Sequence, residues 1–421
     1  MERSHCGAHR VQCAPSYFHW AEDAIGLRQA LTADVAVVGA GIVGMAHAYL
    51  AARSGLKVAV FERNPAPLGA SLRNFGMIWP IGLPGGPRYR LALRSRSIWL
   101  EALRDSGLHY RETGSIHAAY HQDEAAVGQE FAAKAPPLGV DCAWLAAEEV
   151  LARSHALSPD GLVGGLWSPT ELTVDPRQVM SEFPKFLAEQ LGVQFYWNTP
   201  VQRVDSHKLK TPEHRCEANY IVVAGGDDFQ TLFPENFREN GVTRCKLQML
   251  RTVRQPSGWL LGPALAFGLT FLHYPAFEIC ESRHALRVRV QREMPDFDRY
   301  GIHVLVSQTS SGELTIGDSH EYGLAVNIFD NPEIYRLILD FVQRHMQVPN
   351  LQIGEFWHGV YAKHATHPWL TFAPADDVRV LTVTSGVGMT MAFALAEQTM
   401  LEMGAPLETS ESRGSPANRT R

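Results

Sequence analysis

The sequence predicts a two-domain α/β (α+β) fold, in which a Rossmann-like domain is interleaved with a second domain built on an antiparallel sheet. Three observations lead to this prediction. Residues 34–62 follow the order buried strand, glycine-rich turn, apolar helix, buried strand. A second unit of strand, glycines and apolar helix occupies residues 378–403. Between them, residues 242–315 contain runs of alternating apolar and polar side chains, which are typical of antiparallel strands.

The turn after the first strand carries glycines in G-x-G-x-x-G spacing. Gly39 permits the tight turn, Gly41 lets a pyrophosphate approach the backbone, and Gly44 lets the helix pack against the strand. The N-terminus of the helix offers free N–H groups to phosphates. Glu62, which ends the second strand, can accept hydrogen bonds from both ribose hydroxyls and disfavours the 2′-phosphate of NADP. The pattern predicts a site for FAD or NAD, with a glycine-rich structural turn as the alternative.

Length and composition set the broad class of the protein. The chain of 421 residues is long enough for two domains. Its net charge of −6 gives no indication of nucleic-acid binding. No apolar run reaches the ~18–20 residues of a membrane span. The six cysteines are scattered without a C-x-x-C pair, which favours reduced thiols in a cytoplasmic protein over a disulfide framework or a zinc site. No feature predicts an oligomeric state.

The order of the elements predicts discontinuous domains. The N-terminal segment lacks a continuous hydrophobic core of the kind found in secretory signals, and we expect it to be partly helical around residues 20–31. The last residues are rich in Ser, Thr and Arg. The predicted division is an N-terminal extension (1–32), a nucleotide-binding domain (33–100, 150–240 and 350–405), a substrate domain (101–149 and 241–349) and a disordered tail (406–421).

The substrate domain is expected to contain an antiparallel sheet with a hairpin turn at residues 310–312. In one of its predicted strands, Arg287 and Arg289 would share a face. That face is either solvated or a basic surface that lines an anionic substrate pocket. The predicted strands are 246–253, 269–277, 285–292, 302–308 and 313–317.

Residues 69–82 form a predicted loop with unusual composition. The loop contains Phe75, Met77 and Trp79 but few charges, so it must pack on an apolar surface. Beside a dinucleotide site, a flavin ring is the natural candidate for that surface. Arg73 would then lie near the pyrophosphate or the flavin. The alternative is a buried crossover loop.

Two other segments point to the same cofactor. Residues 220–224 form a predicted buried strand that ends in two glycines, which would bring a second backbone turn against the cofactor. The glycines at 386 and 388 have the wrong spacing for another nucleotide site. Their form suits a helix N-terminus aimed at one end of a flavin, where it would stabilise negative charge. Asp175 and Pro176 are expected to be the N-cap and first residue of another helix.

As a set, these motifs resemble the FAD-dependent D-amino-acid oxidase superfamily, on the glycine oxidase and sarcosine oxidase side, over roughly residues 33–405. A narrower likeness is to bacterial oxidases of this type associated with phosphonate degradation. The broad likeness is carried by the glycine motif with Glu62, Arg73-Asn74-x-Gly76, Asp175-Pro176, residues 222–226, Trp357-x-Gly359 and Gly386-x-Gly388-Met389-Thr390, and the narrow one by residues 73–80, 244–249, 317–320 and 357–361.

The resemblance implies an FAD-binding domain of the p-hydroxybenzoate hydroxylase type, roofed by the antiparallel sheet. It implies hydride transfer from the carbon beside a neutral amine to flavin N5, without a strong catalytic base. The expected substrate is a small primary or secondary amine, anionic, such as an aminoethylphosphonate with or without an N-methyl group. Oxidation would give an aldehyde and an amine, with O2 as acceptor and H2O2 as product. Four alternatives remain open: a dehydrogenase that passes electrons to a quinone or carrier, a glycine or sarcosine oxidase, a D-amino-acid oxidase, and a non-catalytic flavoprotein.

The resemblance also implies the cofactor contacts. Residues 361–371 contain no cysteine that could be linked to the flavin as in sarcosine oxidases, so non-covalent FAD is expected. The usual clamp of Arg and Tyr for an amino-acid carboxylate is not evident, which argues against an α-amino-acid substrate. The implied FAD contacts are Gly39, Gly41, Ile42, Val43, Gly44, Glu62, Arg63, Ser71, Arg73, Asn74, Gly76, Val201, Ala224, Gly225, Gly386, Gly388, Met389 and Thr390.

Candidate substrate-binding residues come from the antiparallel sheet and the flavin side of the pocket. For each of them, a structural polar group is the alternative interpretation. Three further histidines, at 358, 364 and 367, have a spacing that fits no standard ligand set, so no metal site is predicted. The substrate candidates are Trp79, Lys246, Gln248, His273, Tyr274, His303, Gln308, Tyr361 and Lys363.

Overall fold

The computed structural model describes residues 29–408. The predictions for residues 1–28 and 409–421, which include most of the N-terminal extension and of the tail, lie outside the described residues. The first strand begins at Gln29 and pairs with residues 214–223 from its first residue. The end of the predicted extension is therefore part of a sheet. Residues 29–31 form a strand and not the helix that was expected there.

The strands of the described part are numbered in chain order: β1 (Gln29–Val38), β2 (Val58–Phe61), β3 (Met77–Ile78), β4 (Tyr110–Arg111), β5 (Ser115–Ala119), β6 (Ala143–Ala146), β7 (Gly164–Ser168), β8 (Leu172–Val174), β9 (Gln194–Tyr196), β10 (Arg203–Asp205), β11 (Lys208–Lys210), β12 (His214–Val223), β13 (Thr243–Thr252), β14 (Ala264–Phe267), β15 (Leu305–Gln308), β16 (Leu314–Gly317), β17 (Glu321–Gly323), β18 (Ile353–Lys363), β19 (Trp369–Ala375) and β20 (Val378–Val383).

The α-helices are numbered in the same way: α1 (Ile42–Arg53), α2 (Pro87–Ser106), α3 (Gln122–Lys134), α4 (Ala147–Arg153), α5 (Pro176–Leu191), α6 (Pro234–Glu239), α7 (Thr270–His273), α8 (Arg283–Glu293), α9 (Pro295–Tyr300), α10 (Pro332–His345) and α11 (Gly388–Glu402). Among residues 29–408, none of these helices combines the length and the apolar character that crossing a bilayer requires.

The first sheet has eight strands and a parallel centre. Strands β12, β1, β2 and β9 pair in parallel in that order, and β20 pairs in parallel with the other edge of β12. Residues 35–38 of β1 are buried on both faces of the sheet: Val35 and Val37 pack in the cluster that contains α1, and Ala36 and Val38 pack in a second cluster on the other face. Helix α1 packs against α11, where the rings of Tyr49 and Phe393 lie 5.9 Å apart. This is the Rossmann-like arrangement that the sequence predicts.

The second sheet has nine strands and is antiparallel except where β14 pairs in parallel with β5. Strand β13 pairs with β18 along nearly its whole length, and β15 and β16 form the expected hairpin. Strands β7 and β18 belong to this sheet. The residues of both strands were expected to belong to the nucleotide-binding domain, so the boundaries differ there.

Two predicted strands, 269–277 and 285–292, are wrong. The first consists of α7 and a 3-10 helix (Pro275–Ile279), and the second lies in α8. In α8 the buried residues are Leu286 and Val290, four positions apart, whereas Val288 is 48% exposed. That burial pattern belongs to a helix and not to a strand.

The basic face predicted for residues 285–292 does not form a pocket wall either. Arg289 donates to Asp123 and Glu124 of α3, at 2.6 and 2.7 Å. Its guanidinium therefore serves to join two helices of the second domain.

A small third sheet, β3–β8–β4, joins the two domains. It holds the end of the loop 69–82, and Gly76 adopts a φ of +72° there. A Cβ at Gly76 would lie 2.0 Å from the carbonyl oxygen of Val174, so the loop can approach β8 only with glycine. Asp175 then caps α5 by accepting from the Arg177 N–H at 3.0 Å, which confirms the predicted N-cap.

Candidate active site

A cavity of about 350 Å³ extends from the glycine turn of the first sheet to the face of the second sheet. It is lined by β1, β2 and β12 on one side and by β13 and β18 on the other. Of the residues predicted to contact the cofactor, Gly44 and Gly76 pack against backbone outside its wall. The others line it: Gly39, Gly41, Ile42, Val43, Glu62, Arg63, Ser71, Arg73, Asn74, Val201, Ala224, Gly225, Gly386, Gly388, Met389 and Thr390.

The glycine turn brings two strand ends together. Gly39 has a φ of +99°, and a Cβ there would lie 2.5 Å from the carbonyl oxygen of Ala224. The amide of Ala224 donates to the Val38 carbonyl at 2.8 Å, which fixes the two chain segments side by side. A Cβ at Gly44 would lie 1.9 Å from the carbonyl oxygen of Gly39. Gly39 therefore requires glycine for its backbone conformation and for the close approach, and Gly44 for the close approach alone.

Glu62 is held by the turn that it faces. The side chain is 8% exposed, and its Oε2 accepts from the Ala40 N–H at 2.9 Å. Its Oε1 accepts from the backbone N–H and the side-chain amide of Asn64, both at 3.0 Å. Three of the roughly four acceptor sites of the carboxylate are used in this way, and the remaining one, on Oε2, suits a ribose hydroxyl.

The N-terminus of α1 offers an anion site at the same end. Its N-cap, Gly41, has no side chain, and the first turn contains no acidic residue. The Ser71 hydroxyl accepts from the Ile42 N–H at 3.0 Å and so fixes the following loop beside the helix. Arg73 also lines the cavity, and among residues 29–408 no carboxylate pairs with its guanidinium. Arg63, by contrast, pairs with Asp228 at 2.7 Å.

The N-terminus of α11 forms another part of the wall. The backbone N–H of Trp79 donates to Thr390 Oγ1 at 2.9 Å, and the indole N–H of Trp99 donates to the Met389 carbonyl at 2.6 Å. Gly386 has a φ of +72° and lies against the phenol of Tyr361. The loop 69–82 and the start of α11 are therefore held in one arrangement.

Together these groups fit an extended dinucleotide. The glycine turn and α1 suit a pyrophosphate, Glu62 suits a ribose, and the N-terminus of α11 suits a negatively charged ring edge. The loop residues Phe75, Met77 and Trp79 supply the apolar wall that a flavin ring needs. The donor set matches FAD, as the sequence predicts.

The substrate candidates separate into two groups. Trp79, His273, Tyr274, His303 and Tyr361 line the cavity at the second sheet. The structure places Lys246, Gln248, Gln308 and Lys363 outside its wall.

Lys246 and Gln248 lie outside the cavity because side chains alternate along β13. Leu247 and Met249 face the cavity, so the residues between them point to the opposite face. The Lys246 ammonium is buried and lies 3.0 Å from Asp330. Gln248 exchanges hydrogen bonds with the backbone of Asn331, at 2.7 and 2.9 Å.

The other two candidates also have structural partners. Gln308 accepts from the Leu261 N–H at 3.0 Å and from Arg111 at 2.9 Å. Lys363 places its ammonium 5.6 Å from the centre of the Tyr322 ring. For all four, the contacts favour the structural interpretation.

Asp318 and His320 are among the cavity residues that were not predicted as site residues from the sequence. Asp318 Oδ1 lies 3.4 Å from His303 Nε2, and Asp318 Oδ2 lies 3.9 Å from His320 Nε2. Both follow β16 in the pattern Asp-x-His. This pattern, an acid and an imidazole two residues apart directly after a predicted strand, could have identified both as site residues from the sequence.

Burial disfavours the charged form of each of these groups. It holds the pKa of His303 and of His273 well below the ordinary value, and it lowers the pKa of His320 to about 4. Burial raises the pKa of Asp318 well above that of an exposed carboxyl. It also raises the pKa of Tyr361, so its phenol remains a hydrogen-bond donor.

The chain was compared with known proteins. The family model described as "DAO: FAD dependent oxidoreductase" matches residues 34–400. The D-amino acid dehydrogenase 2 of Mesorhizobium japonicum is 24% identical over 227 residues, 41% of this chain and 55% of that protein. The glycine oxidase of Geobacillus kaustophilus is 28% identical over 207 residues, 46% of this chain and 54% of that protein. These alignments span about half the length of the curated relatives.

The crystal structure of the Geobacillus kaustophilus glycine oxidase is similar over nearly the whole fold. It superposes with a TM-score of 0.69 and covers 90% of this chain and 96% of its own. The sequence identity is 19%, so this likeness concerns the fold.

Proposed function

Because the chain belongs to the DAO family of FAD-dependent oxidoreductases, we propose that it oxidises the C–N bond of a small amine. The observation that carries the proposal is the continuity of the cavity. The dinucleotide-binding groups around Gly39 and Glu62 line one end of the cavity. Polar residues at the second sheet line its other end: His273, His303, Asp318 and His320. A purely structural FAD site would not need that second, polar end.

FAD supplies a hydride acceptor when it is bound, and the protein must supply a neutral amine in the right place. Tyr274 and Tyr361 line the cavity, and burial raises the pKa of both phenols, so they offer neutral O–H groups to an amine. Leu305 and Met249 line the adjoining wall and exclude water. No residue has to act as a strong base if the amine binds in its neutral form.

The proposed substrate is a small anionic amine of the aminoethylphosphonate class, N-methylated or not. The narrower sequence likeness supports this class. A phosphonate needs positive charge around it. The lysines expected for that purpose lie outside the cavity. Arg73, whose guanidinium pairs with no carboxylate within residues 29–408, is a cation of the cavity wall. The products would be an aldehyde and an amine.

The electron acceptor has two candidates. With O2 as acceptor the enzyme is an oxidase and releases H2O2. A dehydrogenase that passes electrons to a quinone or carrier is favoured by the relative named D-amino acid dehydrogenase 2. An assay for H2O2 in air, run beside an assay with an artificial electron acceptor, separates the two. The free thiols at Cys142, Cys216, Cys245 and Cys280 support a cytoplasmic setting for either.

Anaerobic titration of the purified flavoprotein tests the proposal. The visible absorbance of the flavin is followed while an amine is added. We expect bleaching by N-methyl-aminoethylphosphonate or aminoethylphosphonate, and none by glycine, sarcosine or a D-amino acid. Bleaching by one of the latter three would replace the substrate class and keep the reaction. FAD that is bound but bleached by no amine would support a non-catalytic flavoprotein instead.

A further inference from the structure

Three histidines and one aspartate converge where the cavity meets the second sheet. Ligand atoms of His273, His303 and His320 all lie within 4.8 Å of one another. Asp318 lies beside them, 3.4 Å from His303 and 3.9 Å from His320. We propose that these four residues, the His₃Asp cluster, bind one divalent transition-metal ion such as Zn²⁺.

Unpaired buried atoms are the first reason. His303 is 3% exposed and Asp318 is 4% exposed. Among residues 29–408, neither ring nitrogen of His303 has a hydrogen-bond partner, and Asp318 Oδ1 has none. Buried polar atoms without partners are unfavourable and rare in folded proteins. Coordination of one cation would satisfy Asp318 Oδ1 and one of the two ring nitrogens of His303, and imidazole with carboxylate is a ligand set that zinc prefers.

The orientation of His320 is the second reason. Its Nδ1 lies 2.9 Å from the carbonyl oxygen of Gly301. Since a carbonyl only accepts, Nδ1 carries the proton and the lone pair is on Nε2, which faces Asp318. Metal-binding histidines usually have this arrangement, in which the distal N–H donates to a carbonyl or carboxylate.

The backbone positions three of the four ligands. The Asp318 N–H donates to the His303 carbonyl at 3.0 Å, and the His303 N–H donates to the Asp318 carbonyl at 3.3 Å. The His320 N–H donates to the Tyr300 carbonyl at 2.8 Å. His273 is the last residue of the short helix α7 and is partly exposed, so it is the ligand with room to adjust.

The separation of the rings suits a single ion. The ring centres are 3.9 Å apart for His273 and His303, 4.4 Å for His273 and His320, and 5.1 Å for His303 and His320. Three imidazoles at tetrahedral angles on one zinc ion, with Zn–N distances of about 2.0–2.1 Å, would have their centres roughly 5 Å apart. His273 lies closer to the other two rings than this geometry requires. A shift of its ring away from them, by less than the width of the ring, would bring all three to the separation that one ion needs.

A metal here would also supply positive charge to the cavity. Three neutral imidazoles and one carboxylate leave a divalent ion with a net charge of about +1. With four protein ligands, expansion of the metal to a fifth position on the cavity side would let it bind an anionic oxygen of the substrate. This last step rests on the proposed function, whereas metal binding by the cluster does not.

Metal counting on the FAD-loaded enzyme tests the site without any amine present. The protein is treated with a chelator and dialysed against Zn²⁺ or Co²⁺, and the bound metal and the bound flavin are measured on the same sample. We expect one ion per chain. His303→Ala should weaken binding by at least about 100-fold, and Asp318→Asn, which keeps the shape of the side chain, by roughly 10–100-fold.

A matched control comes from another pair of histidines. His364 and His367 are exposed, and their Nδ1 atoms lie 3.2 Å apart, so they could chelate a metal without a function. The His364→Ala, His367→Ala double variant should keep the bound ion. Loss of the ion in this variant, with retention in His303→Ala, would overturn the proposal.

Two other results also decide the matter. A wild-type enzyme that retains FAD but binds no stoichiometric Zn²⁺ or Co²⁺ would show that the cluster works without a metal, as polar groups of the pocket. If His303→Ala does not fold, the flavin content reveals it, and the count on the wild type and on Asp318→Asn remains decisive. Because no amine is used, failure of the metal site is distinguishable from failure of the proposed reaction.

Discussion

The hydrogen bond from the Trp79 N–H to Thr390 Oγ1, at 2.9 Å, connects two cavity walls from opposite ends of the chain. Trp79 is 4% exposed and lies in the apolar part of the loop 69–82. Thr390 lies in the first turn of α11, whose N-terminus faces the cavity. The bond therefore sets the distance between the aromatic wall and the positive end of the helix.

Replacement of Thr390 by valine tests the contribution of this hydrogen bond with little change in side-chain packing. Thr390→Val keeps the side-chain shape but leaves the buried N–H of Trp79 without an acceptor. We expect the free energy of unfolding to fall by about 1–3 kcal/mol and FAD to bind more weakly. Chemical denaturation and fluorescence titration with FAD measure the two effects. Thr399→Val on the same helix is the control, because its hydroxyl makes no hydrogen bond to residues 29–408, and it should change neither.

Gly39→Ala should abolish FAD binding. The new Cβ would lie 2.5 Å from the carbonyl oxygen of Ala224, and the φ of +99° is unfavourable for alanine. The flavin content of the purified variant is the measurement. Gly55→Ala is the matched control: Gly55 has a φ of +81° but nothing lies within 4 Å of its Cβ position. It should lose only about 1 kcal/mol of stability and keep its flavin. Equal flavin loss in both variants would contradict the role given to the close approach.

Glu62→Gln tests the ribose contact. The variant keeps the shape of the side chain, but it loses the charge that strengthens the hydrogen bonds to ribose hydroxyls. We expect the affinity for FAD to fall roughly 10–100-fold, since charged hydrogen bonds contribute about 1.5–3 kcal/mol. Titration of the apoprotein with FAD gives the dissociation constant. Glu182→Gln, on the solvent side of α5, should leave it unchanged.

Much of the fold was predictable because the glycine turn and the central strands have strong local patterns. The segment with Gly39, Gly44 and Glu62 forms the unit that its spacing predicts. The prediction of a strand over residues 285–292 was wrong for a physical reason. Leu286 and Val290 fit the buried face of a strand by alternation and that of a helix by their spacing of four, and only the packing against α3 decides between them.

The cavity was harder to predict than the fold. Alternation along β13 shows that Lys246 and Gln248 share a face, but not which face meets the cavity. That choice depends on how the second sheet is placed over the first. His273, His303 and His320 come from three separate segments, so no spacing along the chain could bring them together as a cluster.

Lys246→Met should affect stability and not substrate binding. Lys246 is 1% exposed, and its ammonium contacts Asp330 at 3.0 Å and donates to two backbone carbonyls. Removal of the ammonium leaves those acceptors without a partner, and we expect a loss of roughly 2–3 kcal/mol in the free energy of unfolding. Denaturant unfolding and the KM for the amine are the two measurements. An increase in KM with unchanged stability would return Lys246 to the substrate site.

A control for Lys246 is the exposed pair of Lys208 and Glu217, at 3.6 Å. Lys208→Met should cost less than about 1 kcal/mol, because solvent screens the pair. Comparable losses in the two variants would contradict the structural role of the buried ammonium.

His47 should make the protein sensitive to acid. It is fully buried in α1, where its Nδ1 lies 2.7 Å from the Val43 carbonyl, and among residues 29–408 its Nε2 has no partner. Burial lowers the pKa of His47 from 6.5 to about 4. The unfolded chain therefore binds a proton at a higher pH than the folded chain does. Its contribution to stability is present above pH 6.5 and is lost as the pH falls from 6.5 towards 4.

His47→Leu should flatten that part of the stability curve. The wild type is expected to lose on the order of 1 kcal/mol per pH unit more than the variant in this window. Denaturant unfolding across the window measures the two slopes. His364→Leu, which removes a partly exposed histidine, is the control for the loss of an imidazole as such. Since other buried histidines such as His117 titrate in the same direction, part of the slope should remain in His47→Leu. An unchanged slope would mean that His47 has the same proton affinity in the folded and unfolded chain.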